Sequence, residues 1–178
     1  LILTGQNSFF KTGANNILNI INNKIETKII FKKSFVPQLS ELKKIYNKLK
    51  KFKPDLVIAV GGGTIMDYSK VLSIMDDVKN IKLKIKKNKF KFKKKIFTLI
   101  CIPTIAGSGA EETANAVMYV GKKKYSIEND LVKPDKNYLV SSLVLKNPKK
   151  IKASSGFDAI SQAIESILSI RSNEESIK

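Results

Sequence analysis

Two residues that could bind a metal ion stand four positions apart in SSGFDAISQAIES, residues 154–166. Asp158 and Gln162 are separated by about one helical turn, so a helix would present both side chains on one face. Histidine is the usual partner of a carboxylate in such a site, and the sequence contains no histidine. The pair is therefore a metal site, a weakened metal site, or only a helix with a buried edge.

A second candidate site lies where an apolar run meets three glycines. LVIAVGGGTIMDYSK, residues 56–70, predicts a buried strand, a glycine turn and a helix. Glycines let the backbone approach a phosphate, free amides at a helix start attract anions, and Thr64 could add a hydroxyl donor. Asp67 and Lys70 could line this site or form an ion pair on the helix surface. The glycine turn could also serve only to let the helix pack tightly on a sheet.

A third candidate is the polar loop in IPTIAGSGAEETANAV, residues 102–117. It follows another predicted buried strand and carries Thr104, Ser108, Glu111 and Thr113. In a parallel sheet, ligands bind beyond the carboxyl ends of the strands, so this loop and the glycine turn could face one crevice. Two small, hydroxyl-rich loops at one sheet edge suit a dinucleotide. The alternative is an ordinary connection between a strand and a helix.

The composition indicates a globular protein. Hydrophobic residues make up 43% of the 178 positions, which is enough for a core. No run of eighteen apolar residues is present, so we expect no membrane span. The sequence shows no secretory leader, and the single cysteine, Cys101, has no partner for an internal disulfide, so we expect a cytoplasmic protein.

The net charge of +18 invites a nucleic-acid interpretation, which we do not favour. Lysine, isoleucine and asparagine are enriched together along the whole chain, which indicates a compositional bias rather than a binding patch. The densest basic stretch is KNIKLKIKKNKFKFKKK, residues 79–95. We expect it to be a solvated loop or an edge strand whose lysines discourage edge pairing, and we expect no nucleic-acid partner.

Predicted strands and helices alternate along the chain. This order predicts an α/β fold with a mainly parallel, doubly wound, Rossmann-like sheet and a small β-hairpin, followed by the start of a truncated α-helical domain. We expect a dinucleotide-binding domain over residues 1–146 and the beginning of the helical domain over 147–178. The predicted strands are 1–4, 27–31, 55–60, 95–103, 116–120, 123–127 and 137–145. The predicted helices are 7–22, 37–52, 64–75 and the region from Pro148 onward.

Three motifs, in this order and spacing, resemble those of the iron-containing (group III) alcohol dehydrogenase family. They are GGGTIMDYSK, PTIAGSGAEET and GFDAISQAIES, and the family's versions are similar to GGGS-x-x-D-x-x-K, PTTAGTGSE and G-x-DA-x-x-H-x-x-E. LILTGQNSFFKTG and FKPDLVIAVGGG also resemble its N-terminal domain. The resemblance covers essentially the whole chain. It implies hydride transfer between NAD(P) and an alcohol or aldehyde, with a divalent metal, iron or zinc, in the cleft between two domains.

The resemblance also implies roles for individual residues. Asp158 corresponds to the first metal ligand, and Lys124, after the hairpin turn, corresponds to a lysine that reaches the cofactor. Asp67 is grouped with the cofactor site, and no residue stands out as the proton donor. The pyrophosphate would be held by Gly61, Gly62, Gly63 and Thr64, and the nucleotide would be contacted by Thr104, Ile105 and Ser108.

Two positions depart from the family pattern. Gly5 stands where members that prefer NAD often have an aspartate for the ribose hydroxyls, so the cofactor is NAD or NADP, with NADP favoured. Gln162 stands where the family usually has a histidine ligand, and an amide oxygen is a poorer ligand for zinc or iron. A glutamine here resembles branches that act on sugar-acid or phosphonate-type substrates.

The expected function is therefore that of a metal-dependent NAD(P) oxidoreductase, present as a fragment, with a small alcohol or aldehyde as substrate. A second copy of the chain is a candidate partner, and no membrane partner is expected. The alternatives are a cyclase resembling dehydroquinate synthase, and a non-catalytic remnant or basic binding module.

Overall fold

The computed structural model of the chain describes residues 1–21, 25–75, 77–87, 94–170 and 172–177. Its centre is a five-stranded sheet in the order β2-β1-β3-β4-β7, in which every neighbouring pair is parallel. This architecture confirms the predicted fold class. The sheet strands are Ile2–Gly5 (β1), Ile29–Lys32 (β2), Leu56–Gly61 (β3), Thr98–Pro103 (β4) and Lys136–Asn137 (β7).

The sheet strands are apolar on both faces because helices cover the sheet on both sides. Alternate residues of each strand point to opposite faces, so Val57 and Ala59 join one apolar cluster while Ile58 and Val60 join another. The two clusters account for the continuous apolar runs that predicted β3 and β4.

Helices of the described residues divide between these two faces. The larger cluster includes α3 and α4 together with α5, and the smaller one includes α1, α2 and Leu143 of α6. No helix in the described ranges is long and apolar enough to cross a membrane. The helices are Gln6–Lys11 (α1), Ile17–Ile20 (α2), Leu39–Phe52 (α3), Gly63–Ile74 (α4), Ile81–Lys87 (α5), Ser141–Leu145 (α6), Lys149–Leu168 (α7) and Glu174–Ile177 (α8).

The predicted hairpin forms a separate two-stranded antiparallel sheet. Its strands are Asn115–Val120 (β5) and Lys123–Glu128 (β6), and Gly121 turns between them at φ +65°. The hairpin packs its buried residues, such as Met118, into the larger cluster beside α4. It therefore extends the layer that covers one face of the sheet.

Two predicted elements differ from the structure, one in its continuity and one in its kind. The predicted helix over 7–22 is broken, because Gly13 adopts a left-handed conformation at φ +84° and a short 3-10 turn follows it. The predicted strand over 137–145 ends at Asn137, and the chain then forms α6. The last pair of the ladder is Cys101 with Asn137. Pro103, two residues further along β4, has no N–H to donate, and α6 instead packs Leu143 on the smaller cluster.

The lysine-rich stretch was predicted as a loop or edge strand, and for residues 81–87 this is wrong. Residues 81–87 form α5, and Ile81 and Ile85 are only 2% and 1% exposed. Their spacing of four places both on one helical face, with lysines on the remaining surface. Residues 88–93 lie outside the described residues.

The packing of α5 makes a testable difference between two apolar side chains on the same helix. Ile85→Ala should lower the free energy of unfolding by about 3 kcal/mol, because it removes a buried side chain. Leu83 is 53% exposed, so Leu83→Ala should cost less than about 1 kcal/mol. Urea unfolding of the full-length protein measures both, and equal costs would contradict a packed α5.

Candidate functional site

The main cleft lies at the carboxyl edge of the sheet, between the ends of β1 and β3. In the strand order β2-β1-β3-β4-β7 the winding reverses at this point, and doubly wound sheets bind ligands there. The cleft has a volume of about 960 Å³. Six residues predicted for the cofactor site line it: Gly5, Gly62, Gly63, Thr64, Thr104 and Ile105.

The glycine turn brings the backbone of two loops together. A Cβ on Gly62 would lie 3.0 Å from Cδ1 of Ile105, so glycine lets the first turn of α4 approach the loop after β4. Gly62 caps α4 without a side-chain hydrogen bond, and the first amides of any helix lack intrahelical acceptors. The turn therefore presents backbone donors and the positive end of a twelve-residue helix to the cleft.

Gly61 has a different position from its two neighbours. It is the last residue of β3 and does not line the cleft. A Cβ there would lie 2.7 Å from Cγ1 of Ile65, and its carbonyl accepts a hydrogen bond of 3.0 Å from the Thr104 amide. At this one glycine, the structure supports tight packing of the helix on the sheet.

The hydroxyl of Thr104 has no hydrogen-bond partner within the described part of the chain. Its side chain is fully buried, while its backbone carbonyl accepts a hydrogen bond from Nδ2 of Asn147. An unpaired buried hydroxyl typically costs about 1–3 kcal/mol, and Thr104 lines the cleft. A ligand with a polar atom at this point would remove that cost.

Thr64 and Ser108 already make contacts within the protein. The Thr64 hydroxyl donates to the carbonyl of Phe35 at 2.9 Å, which ties the glycine turn to the loop after β2. Ser108 Oγ accepts from the Ala110 amide at 3.4 Å and lies 3.5 Å from the Cβ position of Gly63. The structure thus places the loop after β4 directly beside the glycine turn.

Asp67 and Lys70 face the hairpin rather than the cleft. Asp67 Oδ1 accepts from the Val117 amide at 2.9 Å. Lys70 is fully buried, and its ammonium donates to the carbonyl and hydroxyl of Thr113 at 2.8 and 3.0 Å and to the Asn115 carbonyl at 2.8 Å. The alternative of an exposed ion pair is wrong, because these contacts clamp β5 onto α4.

These contacts of Asp67 and Lys70 with the hairpin form a clamp, and the pKa values of both side chains are shifted within it. Burial raises the pKa of Asp67 to about 6, against the opposing effects of the Val117 hydrogen bond and of the charges on Lys70 and Lys124. Burial lowers the pKa of Lys70, and Asp67 opposes that effect. Lys124 is exposed on β6, outside the cleft. Its charge acts on Asp67, which is the interaction of Lys124 with the candidate site that the described residues show.

The raised pKa of Asp67 predicts a pH dependence of stability. Between its usual value of 3.8 and about 6, folded Asp67 retains a proton that the unfolded chain has lost, so its contribution to stability falls as pH rises through this window. In Asp67→Asn, no proton is exchanged. Thermal unfolding should therefore show the wild type losing stability relative to the variant between pH 4 and 6, and parallel profiles would contradict the shift.

Asp158 and Gln162 lie together on α7, as their spacing predicted. Both are exposed, and Gln162 Nε2 donates to Asp158 Oδ2 at 2.9 Å. Among the described residues, no group of three His, Cys, Asp or Glu side chains could hold a metal ion. Two oxygen-bearing side chains are fewer ligands than zinc or iron requires, so the described residues do not by themselves form a metal site.

Four lysines around the cleft were not identified from the sequence as site residues. Lys11, Lys32, Lys33 and Lys146 line it, and its described lining includes no aspartate or glutamate. In a chain with 33 basic residues, no local pattern distinguishes these four. The adjacent pair at the end of β2 was the one available signal, because strand ends meet at this edge.

Comparison with known proteins identifies the family of the chain. The family model described as iron-containing alcohol dehydrogenase matches residues 1–139. The chain belongs to this family. The matched residues include the glycine turn and the loop with Thr104, and they end before Gln162.

Similar proteins include enzymes of the iron-containing alcohol dehydrogenase family. The chain is 30% identical to the bifunctional aldehyde-alcohol dehydrogenase AdhE of Escherichia coli over 98% of its own length and 21% of that protein. It matches the structure of sulfoacetaldehyde reductase from Bifidobacterium kashiwanohense in complex with NAD⁺, with a TM-score of 0.81, 29% identity, and coverage of 93% of this chain and 44% of that one. The chain thus spans about a fifth of AdhE and less than half of the sulfoacetaldehyde reductase.

A third match supports the fold alone. An iron-containing alcohol dehydrogenase of Thermotoga maritima aligns with a TM-score of 0.85 and 24% identity, over 98% of this chain and 48% of that structure. The shared architecture is therefore preserved despite extensive sequence divergence.

The unpaired hydroxyl of Thr104 provides a test of whether the cleft binds a nucleotide, as the sequence predicts. Thr104→Val should weaken nucleotide binding by about fivefold or more while leaving stability unchanged or higher, because only a ligand can use the lost hydroxyl. Thr4→Val is the matched control, since Thr4 Oγ1 donates to the Val60 carbonyl at 2.7 Å outside the cleft. It should lower stability by about 1 kcal/mol and leave binding unchanged. Titration with NADH and NADPH, with thermal unfolding of each variant, measures these effects, and unchanged affinity in Thr104→Val would contradict the assignment.

Proposed function

We propose that the complete protein is an NAD(P)-dependent oxidoreductase that interconverts an alcohol and an aldehyde, and that this chain supplies its dinucleotide-binding part. One observation carries the proposal. At the switch point of the sheet, the first turn of α4 and the loop after β4 that carries Thr104 converge on one cleft. Membership of the iron-containing alcohol dehydrogenase family supports a reaction between an alcohol and an aldehyde at that cleft.

Different residues of the cleft would bind different parts of the cofactor. The pyrophosphate would lie on the backbone amides of Gly62, Gly63 and Thr64, where the helix dipole favours negative charge. Thr104 and Ile105 would contact the adjacent part of the nucleotide from the loop after β4. The nicotinamide ring supplies the hydride chemistry when it is bound, and the protein supplies its position.

Three predicted residues would act from outside the lining. Gly61 would permit the close approach of α4 to the sheet, and Asp67 would hold the hairpin on α4 through the Val117 amide. Ser108 would fix the loop beside the turn. Lys124 extends from β6 on the same hairpin, and we propose that it reaches the cofactor in the complete protein.

The charge of the cleft supports NADP as the cofactor and an anionic substrate. Gly5 provides no carboxylate that would repel a 2′-phosphate, and four lysines line the cleft. We propose a small aldehyde that carries an acidic group, of the sugar-acid or phosphonate type. One solved relative is a sulfoacetaldehyde reductase, whose named substrate is an aldehyde of this anionic kind.

Asp158 and Gln162 are proposed as two ligands of a divalent metal, iron or zinc, in the complete protein. Their side chains lie together on one exposed face of α7. Because the described residues provide no third ligand group, the remaining ligands must come from elsewhere in an assembled site.

Gly62→Val tests the proposed pyrophosphate site. A branched side chain would crowd Ile105, whose Cδ1 lies 3.0 Å from the Cβ position, and would block the approach of a phosphate. We expect NADH and NADPH binding to the full-length protein to fall below detection. Gly156→Ala, where a Cβ has no neighbour within 4 Å, should bind as the wild type does.

The same preparations separate the alternative functions. Reduction of small acidic aldehydes would be assayed with NADPH and NADH, with added iron or zinc. Unchanged nucleotide affinity in Gly62→Val would show that the glycine turn is only structural. A wild-type protein that neither binds nucleotide nor turns over aldehydes would contradict the proposal, and tight, salt-sensitive DNA binding would favour a basic binding module.

A further inference from the structure

The end of β2 carries a lysine that enters the cleft beside the end of β1. Gly5 and Lys32 are register partners in the parallel pair of β1 and β2. A Cβ on Gly5 would lie 3.7 Å from Cε of Lys32 and 3.0 Å from Oγ of Ser8. A side chain at position 5 would therefore lie in contact with the lysine stem and close against Ser8.

The ammonium group of Lys32 is held in place but retains donors for a ligand. Lys32 is half-buried, and its Nζ donates to the Ser34 carbonyl at 2.8 Å. An ammonium carries three N–H donors, so this contact uses one of them. Burial lowers the pKa of Lys32 and the charge of Glu41 opposes that effect, so an added phosphate would favour the charged lysine further.

The buried carboxylate of Glu41, close to this point, is already engaged. Glu41 accepts hydrogen bonds from the amides of Lys33 and Ser34, at 2.5 and 2.7 Å, and from the Tyr68 hydroxyl at 3.1 Å. It fixes the loop that follows Lys32 and does not line the cleft. Among the described residues, this edge of the cleft therefore presents an ammonium group and no carboxylate that could bind the two ribose hydroxyls of NAD.

The loop after β2 and the proposed pyrophosphate site belong to one wall of the cleft. The Thr64 hydroxyl in the first turn of α4 donates to the carbonyl of Phe35, three residues beyond Lys32. In a doubly wound sheet, a dinucleotide with its pyrophosphate on the helix start extends its adenosine ribose toward the neighbouring strand ends. Lys32 is therefore on the side of the cleft where the 2′ position of that ribose would lie.

We propose that Lys32 binds the 2′-phosphate of NADP and is the residue that determines the preference for NADP over NAD. This inference rests on the proposed nucleotide-binding function. Two observations distinguish Lys32 from the other three cleft lysines. Lys32 is half-buried beside Gly5 and fixed by the loop, whereas Lys11, Lys33 and Lys146 are exposed.

Calorimetric titration of the full-length protein with NADPH, NADH, 2′,5′-ADP and 5′-AMP tests the proposal. Lys32→Ala should weaken binding of NADPH and 2′,5′-ADP by about tenfold or more and change NADH and 5′-AMP by less than about twofold. Lys32→Arg should retain the preference, since arginine also binds phosphate. Lys44→Ala, on the exposed side of α3, is the matched control for loss of one positive charge and should change neither affinity.

A second variant keeps the test decisive if Lys32→Ala does not fold. Gly5→Asp would place a carboxylate beside the Lys32 stem, so NADPH should lose affinity by about tenfold or more relative to NADH. The proposal is overturned if the wild type binds NADH as tightly as NADPH, or if Lys32→Ala weakens all four ligands equally. Failure of the wild type to bind any of the four would instead contradict the proposed function itself.

Discussion

The cleft depends on the close approach of α4 to the carboxyl ends of the strands. Gly61 leaves no room for a side chain, because a Cβ would lie 2.7 Å from Ile65. At Gly62 a Cβ would lie 3.0 Å from Cδ1 of Ile105, so a side chain there would displace the end of that isoleucine. A larger residue at position 61 would move the helix start away from the sheet edge, and its amides would no longer face the cleft. The geometry of a binding site is here a consequence of the backbone, with few functional side chains.

The clamp between α4 and the hairpin shows how buried charge can be accommodated. Removing the Lys70 ammonium from water is unfavourable, and three hydrogen bonds to Thr113 and Asn115 offset much of that cost. Asp67 contributes a bond to the Val117 amide, with a raised pKa as the consequence of its burial. Because the hairpin follows the loop after β4 directly, the clamp also limits the positions available to the loop that carries Thr104.

The sequence was most informative where one local pattern determines one element. The continuous apolar runs at 55–60 and 95–103 predicted β3 and β4. The apolar positions of 37–52 predicted α3, and its buried apolar residues are Leu39, Leu42, Ile45, Tyr46 and Leu49. The prediction failed at 137–145, where apolar β-branched residues suit a strand but the neighbouring strand ends in Pro103. In 79–95, the abundance of lysine obscured the pair Ile81 and Ile85 that forms the buried face of α5.

The candidate site was predictable only in part, because some of its features depend on tertiary packing and not on a local pattern. The glycine turn and the loop with Thr104 have local signatures, and the parallel sheet brings their strand ends together. The unpaired state of the Thr104 hydroxyl depends on tertiary packing and has no signature in sequence. The convergence of Lys11, Lys32 and Lys146, which are distant in the chain, also depends on the fold.

The high net charge and the cleft lysines act on different properties of binding. A charge of +18 attracts every nucleotide, raises association rates, and is screened over about 8–10 Å at physiological salt. It cannot distinguish two cofactors that differ by one phosphate at one ribose position. That distinction requires a cation at a fixed place, and Lys32 is fixed by its bond to the Ser34 carbonyl and by the loop that Glu41 holds. Selectivity that persists at high salt therefore reflects the site, whereas affinity that salt removes for both cofactors reflects the overall charge.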